Sequence, residues 1–257
     1  MVEAIAKRLP SLLTLTNQEN FNPLQLALRR HRFGSMKKLH ELGADINVES
    51  PKQRQTLIHL ASKLEKPDHL SDIMGYLLQE GVSLESVTSD GFTPLKLAAS
   101  LDRLNAAAAL LDHGADIESS AGKEGRALDI AVKNGSSRVV ESYKSNITPK
   151  GASATVAGCG NNTPLHIAAE KGHCDAARAL FRGIVYIDVD AQNKFGETPM
   201  ITAAREGNVE FVRCLMEYRE HLGVPSRQWE TAAARAADNG HFETVEFFIQ
   251  QQQGRSR

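Results

Sequence analysis

Residues Thr163 to His173 read TPLHIAAEKGH, and weaker copies of this stretch recur along the chain. The copies are TPLKLAASLDR from Thr93, TPMITAAREGN from Thr198, TLIHLASK from Thr56 and NPLQLALRRHR from Asn22. Two degenerate copies, RALDIAVKNGS from Arg126 and TAAARAADNGH from Thr231, lose the proline but keep the alanine and the later glycine. Marked by its second residue, the series runs Pro23, Leu57, Pro94, Ala127, Pro164, Pro199 and Ala232, with successive spacings of 34, 37, 33, 37, 35 and 33. A second landmark keeps the same phase: Gly43 and Gly114 each lie 20 residues beyond Pro23 and Pro94, and each opens a GAD tripeptide. Two landmarks in register point to one repeated structural unit, whose apolar face only a neighbouring unit can cover.

The residue chemistry predicts a helix-turn-helix pair followed by an extended hairpin or loop. Thr163 can cap the first helix with its hydroxyl, and Pro164 sits where a missing N–H costs nothing. Ala168 and Ala169 are small enough for neighbouring first helices to pack closely, and Gly172 permits a turn that a Cβ would strain. The second helix brings larger apolar residues at helical spacing, such as Val209, Val212, Leu215 and Met216. The expected layout is a half-unit cap over 1–21, with Val2, Ile5 and Leu9 on one helical face, then seven units at 22–54, 55–92, 93–125, 126–162, 163–197, 198–230 and 231–252, then a tail at 253–257. The last unit, with Arg235 among its alanines and Gln250 to Gln253 at its end, is expected to close the array with a more polar face. Ser145 to Asn162 is rich in small and polar residues, but the spacing of 37 across it equals that from Leu57 to Pro94, so it reads as an enlarged loop, with a bend or break of the stack left open. The other enlargement, LEKPDHLSD at residues 64–72, is expected between the two helices of the second unit.

TPLHIAA, the following GH, GADIN and NKFGETP resemble the ankyrin-repeat family, and the resemblance covers about residues 22 to 252. It implies an all-α solenoid with short hairpins and a concave inner face, used as a general binding scaffold. It also implies that His59 and His166, each fourth in a TPLH-type segment, are structural hydrogen-bonding residues rather than bases. Asp129 stands where the family has histidine, which predicts a weakened fourth unit.

Composition narrows the function classes. Lys+Arg 30 against Asp+Glu 31 gives a net charge of -1, so nothing global draws the chain to nucleic acid or an anionic membrane. Glu3, Lys7, Arg8 and Pro10 interrupt the apolar N-terminal stretch before a signal-peptide core could form, which predicts an intracellular protein, cytoplasmic or nuclear. Cys159, Cys174 and Cys214 are odd in number and lack CxxC spacing, so free thiols are expected, with no cofactor and no metal. Cys174 beside His173 does not make a dyad, because adjacent helical residues point apart.

The positions that vary within the repeat frame are the candidate contacts. Hairpin tips offer Arg54, Phe92, Lys123, Phe195 and Trp229, and the ends of first helices offer Arg29, Arg30, Lys63, Leu101, Lys133, Lys171, Arg205 and Glu206. Phe92 and Phe195 could equally pack their hairpins, and Trp229 could close the last unit. Charge is uneven: residues 1–40 hold seven Lys/Arg and two Asp/Glu, net +5, whereas residues 206–246 hold four Arg and eight Asp/Glu, net -4. The basic end predicts a protein or peptide partner with an acidic segment, and nucleic acid is disfavoured because no aromatic stacking platform accompanies the cations. The competing reading is an atypical enzyme or small-molecule binder with a pocket in the groove or at the enlarged loops. Elemental analysis of purified protein is expected to find no stoichiometric metal, and a chelator is expected to leave the melting temperature unchanged; about one zinc per chain would overturn this.

Overall fold

The computed structural model describes residues 10–65, 69–120, 125–143, 159–183, 187–221 and 228–255. The expected cap on Val2, Ile5 and Leu9, the tip residue Lys123 and most of the 145–162 loop lie outside them. Among the described residues there are fourteen α-helices and no strand. The chain divides into two compact units, Met1–Ala127 and Leu128–Arg257.

The first unit contains α1 (Pro23–Arg29) with α2 (Phe33–Glu41), α3 (Leu57–Ser62) with α4 (Leu70–Gln79), and α5 (Pro94–Ser100) with α6 (Leu104–Asp112). The second contains α7 (Ala127–Lys133), which starts at the boundary residue, with α8 (Ser137–Ser142), then α9 (Pro164–Lys171) with α10 (Cys174–Gly183). It ends with α11 (Pro199–Arg205) and α12 (Val209–His221), then α13 (Trp229–Asp238) and α14 (Phe242–Arg255). Within each unit first helices pack on first helices and second helices on second helices. The contact between first helices is closed by small residues: Ala98 and Ala99 in the first unit and Ala168, Ala169, Ala203, Ala204 and Ala232 in the second are fully buried. Leu110, Leu180, Val212 and Leu215 fill the layer behind them.

Helix starts follow their residues. Asn22 Oδ1 accepts from Gln25 N at 2.8 Å, Thr93 Oγ1 from Lys96 N at 3.3 Å and Thr198 Oγ1 from Ile201 N at 3.4 Å. Each capping residue is followed by proline at the first helical position. At α9 the cap is reciprocal, since Thr163 N–H donates to His166 Nδ1 at 3.2 Å while His166 N–H donates to Thr163 Oγ1 at 3.4 Å. Nδ1 being the acceptor, Nε2 carries the proton, and it donates to the Glu197 carbonyl of the next pair at 2.9 Å. His59 repeats the arrangement, taking Thr56 N–H at 3.3 Å and giving Nε2–H to the Phe92 carbonyl at 3.0 Å. Gln25 makes the same box in α1, with its Oε1 accepting from Asn22 N at 3.1 Å.

The other ends of the first helices are also held by the following pair. Arg103 Nε donates to the Lys63 carbonyl at 3.2 Å, His173 Nε2 to the Lys133 carbonyl at 3.1 Å, and Asn208 Nδ2 to the Ala169 carbonyl at 2.8 Å. Carbonyls left over at a helix C-terminus thus find donors one pair along. The turn beneath must admit that side chain, and Gly207, at φ +74°, does so: a Cβ there would stand 2.7 Å from His241 Cγ.

Burial is the main cause holding the His59 and His166 imidazoles below their ordinary pKa, so the native state binds fewer protons than the unfolded chain. Their contribution is complete above about pH 6.5 and falls as pH drops below it toward the native values, by up to about 1.4 kcal/mol per pH unit for each ring. His166→Gln, which keeps a capping-box acceptor without a titrating group, is expected to flatten the dependence of melting temperature on pH between about 6.5 and 5. For the turn, Gly207→Ala is expected to cost more than Gly240→Ala, where nothing lies within 4 Å and only the left-handed strain of about 1–2 kcal/mol applies. Adding His241→Ala should erase most of that difference in denaturant melts.

Candidate functional surface

The last residue or C-cap of each first helix forms a recurring position. In the first unit it carries Arg29, Arg30, Lys63 and Leu101; in the second, Lys133, Lys171, Arg205 and Glu206. Cations there also meet the partial negative charge of the helix C-terminus, so each has a local reason to be basic.

In the first unit the structure separates engaged side chains from open ones. Arg29 pairs with Glu19 at 2.5 Å and lies 4.2 Å from the centre of the Phe21 ring, tying residues 19–21 to the end of α1. Arg30 is exposed beside it, and Asn17, Gln18, Glu19, Leu26 and the two arginines surround a polar cavity of about 410 Å³. Lys63 is half-buried, donates to Gln55 Oε1 at 2.8 Å, and has its pKa lowered by burial and by the neighbouring Arg29 charge. Leu101 is exposed. At the hairpin tips Arg54, at φ +51°, pairs with Glu49 at 3.0 Å, and Phe92 is half-buried with its carbonyl held by His59. Ser89 N–H donates to the Gln53 carbonyl at 3.0 Å, so successive tips are joined.

In the second unit Lys133 and Lys171 are exposed, Lys171 pairing with Glu170 at 2.8 Å. Arg205 is drawn inward between Glu206 at 2.6 Å and the buried Glu197 at 3.4 Å. It works as scaffold as well as surface. Phe195 is 71% exposed at its tip, with Lys194 Nζ 4.8 Å from its ring centre. Trp229 opens α13 half-buried, its ring 6.1 Å from that of Phe248, an arrangement that helps close the last pair.

The groups with reactive potential are quiet. Burial pushes the Cys174 and Cys214 thiols up, which removes thiolate character at neutral pH, and both are free. Cys214 borders a cavity of about 310 Å³ between α10 and α12, with Arg178, Phe181, Arg182, Glu217, Tyr218 and His221. Among the described residues no group of three or more His, Cys, Asp or Glu is placed to hold a metal, and no helix is long and apolar enough to cross a membrane.

Sequence reasoning missed Phe242 and Ile249, exposed by 79% and 50% on α14. The expected polar closing face is therefore only partly polar. The helical spacing that marks a buried stripe in earlier pairs also holds on α14, so spacing alone does not tell a buried stripe from an exposed one.

Comparisons with known proteins agree with this geometry. Family models described as ankyrin repeats match residues 24–121, 58–150 and 184–256, and a single-repeat model matches 160–194. The chain is 33% identical over 107 residues to the chicken (Gallus gallus) nuclear factor NF-kappa-B p105 subunit, covering 41% of this chain and 10% of that protein. It is 29% identical over 160 residues to the mouse (Mus musculus) B-cell lymphoma 3 protein homolog, covering 62% of this chain and 34% of the relative. The crystal structure of the ankyrin repeat domain of Bcl-3 superposes with a TM-score of 0.65 at 23% identity, covering 82% of this chain and 90% of that one, a likeness of fold. With family models spanning most of its length and helix pairs stacked in their register, this chain belongs to the ankyrin-repeat family.

Proposed function

We propose that the protein is a binding scaffold or adaptor that holds another protein or peptide through the first-helix ends and hairpin tips of its repeats. The observation that carries the reading is the position that recurs at the first-helix ends: Arg30 and Leu101 are exposed there in the first unit and Lys133 and Lys171 in the second, while the C-terminal carbonyls of α3, α7 and α9 are held by donors from the following pair. A rigid surface of this kind loses little conformational freedom on binding. Phe195 adds an exposed aromatic of the type that anchors interfaces. The quiet thiols and neutral buried histidines support recognition over catalysis.

The excess of cations in residues 1–40 supports a partner with an acidic segment near the first pair, because complementary charge steers encounter and orients the bound partner. The same reading includes an intracellular location, cytoplasmic or nuclear, for which three cysteines without disulfide spacing are the support. The chain spans only 10% of the p105 subunit and 34% of the B-cell lymphoma 3 protein homolog.

The test is affinity capture with the full chain as bait, identification of the captured protein, and calorimetry with that protein purified. Replacing Arg30, Leu101, Lys171 and Phe195 together by Ala is expected to weaken binding about tenfold or more, while each exposed change shifts stability by only about 0.5 kcal/mol. Arg205→Ala is expected to behave differently, lowering the melting temperature because Glu197 is left buried without its arginine. Unchanged affinity in the fourfold variant would place the interface elsewhere.

A further inference from the structure

The second helices of the second unit share one register. Their first, fifth and eighth residues lie on one stripe, at i, i+4 and i+7. On α10 these are Cys174, Arg178 and Phe181; on α12, Val209, Arg213 and Met216; on α14, Phe242, Glu246 and Ile249. The first two stripes face the next helix. Phe181 stacks on Tyr218 of α12, ring centres 3.7 Å apart and planes 7° from parallel, and Arg178 reaches Glu217 at 3.9 Å. Arg213 lies 4.6 Å from the centre of the Phe247 ring of α14, and Met216 is only 4% exposed.

The third stripe faces outward. Phe242 is 79% and Ile249 is 50% exposed, although each stands where a buried or half-buried residue stands in the preceding pair. The charge at the fifth position also reverses, from Arg178 and Arg213 to Glu246, an exposed carboxylate that accepts from Gln250 Nε2 at 3.2 Å. Asp238 and Glu243 are exposed nearby in sequence, within a stretch of net charge -4.

We propose that this outer face of α14 is a docking surface for a basic amphipathic helix of a partner protein. The stripe has the spacing that receives a helix in both preceding layers, which sets the shape of the occupant. Phe242 and Ile249 require an apolar stripe on it, and Glu246 with Glu243 requires Lys or Arg beside that stripe. The stripe shares no residue with the first-helix ends.

The test uses the full chain and a synthetic peptide of about 18 residues made of Leu and Lys, with leucines on one helical face, alongside a scrambled peptide of equal charge that has no such face. Calorimetry at physiological salt is expected to show the patterned peptide binding about tenfold or more tighter than the scrambled one. Phe242→Ser with Ile249→Ser is expected to remove about tenfold of that affinity while the circular dichroism melt keeps its shape. Glu246→Lys, which alters one exposed side chain, is expected to weaken binding severalfold and to reduce its dependence on salt. Equal binding of the two peptides, or wild-type affinity in both variants, overturns the proposal. Sedimentation showing that the chain self-associates through this face, and that Phe242→Ser abolishes the self-association, also overturns it by assigning the face to a second copy.

Discussion

Every first helix here is too short to stand alone. The six from α1 to α11 run six to eight residues, below the length at which an isolated helix survives in water. Their persistence depends on having both ends satisfied from outside. At the N-terminal ends of α3 and α9 a histidine caps its own helix and reaches the next pair's carbonyl, and at the C-terminal ends of α3, α7 and α9 a side chain of the next pair returns to the last carbonyls. Packing through buried alanines brings those partners within reach. The alanine contact and the end bonds therefore support one another: neither would hold its geometry without the other.

Much of this was legible in the residues. Threonine followed by proline states where a helix begins, and small residues at fixed offsets state where its neighbour lies close. The period then makes a weak local signal strong by repetition. The degenerate copies were harder. Ala232 marks the seventh copy, yet α13 begins three residues earlier at Trp229, because Thr231 sits inside the helix rather than at its cap. Lys96 and Asp129 are buried at the position that His59 and His166 fill elsewhere, so residue type alone does not report burial at this site.

The candidate surface was legible in position and less so in availability. Arg29, Lys63 and Arg205 sit at the expected helix ends, but their partners Glu19, Gln55 and Glu197 come from loops and hairpins whose paths the sequence does not specify. Arg30, Leu101 and Phe195 are exposed. The distinction matters energetically, since truncating an engaged arginine changes the scaffold and truncating an open one changes mainly what the scaffold can hold.

At three turns of the second unit the overlying side chain belongs to the pair that follows. His173 lies over Gly135, Asn208 over Gly172 and His241 over Gly207, and each fits a turn contributed by its predecessor. Neighbouring pairs in the second unit are consequently fitted to one another through a glycine turn on one side and a side chain of the next pair on the other. Recombination that duplicated or exchanged a pair would keep that fit only where the glycine and the side chain over it remained together.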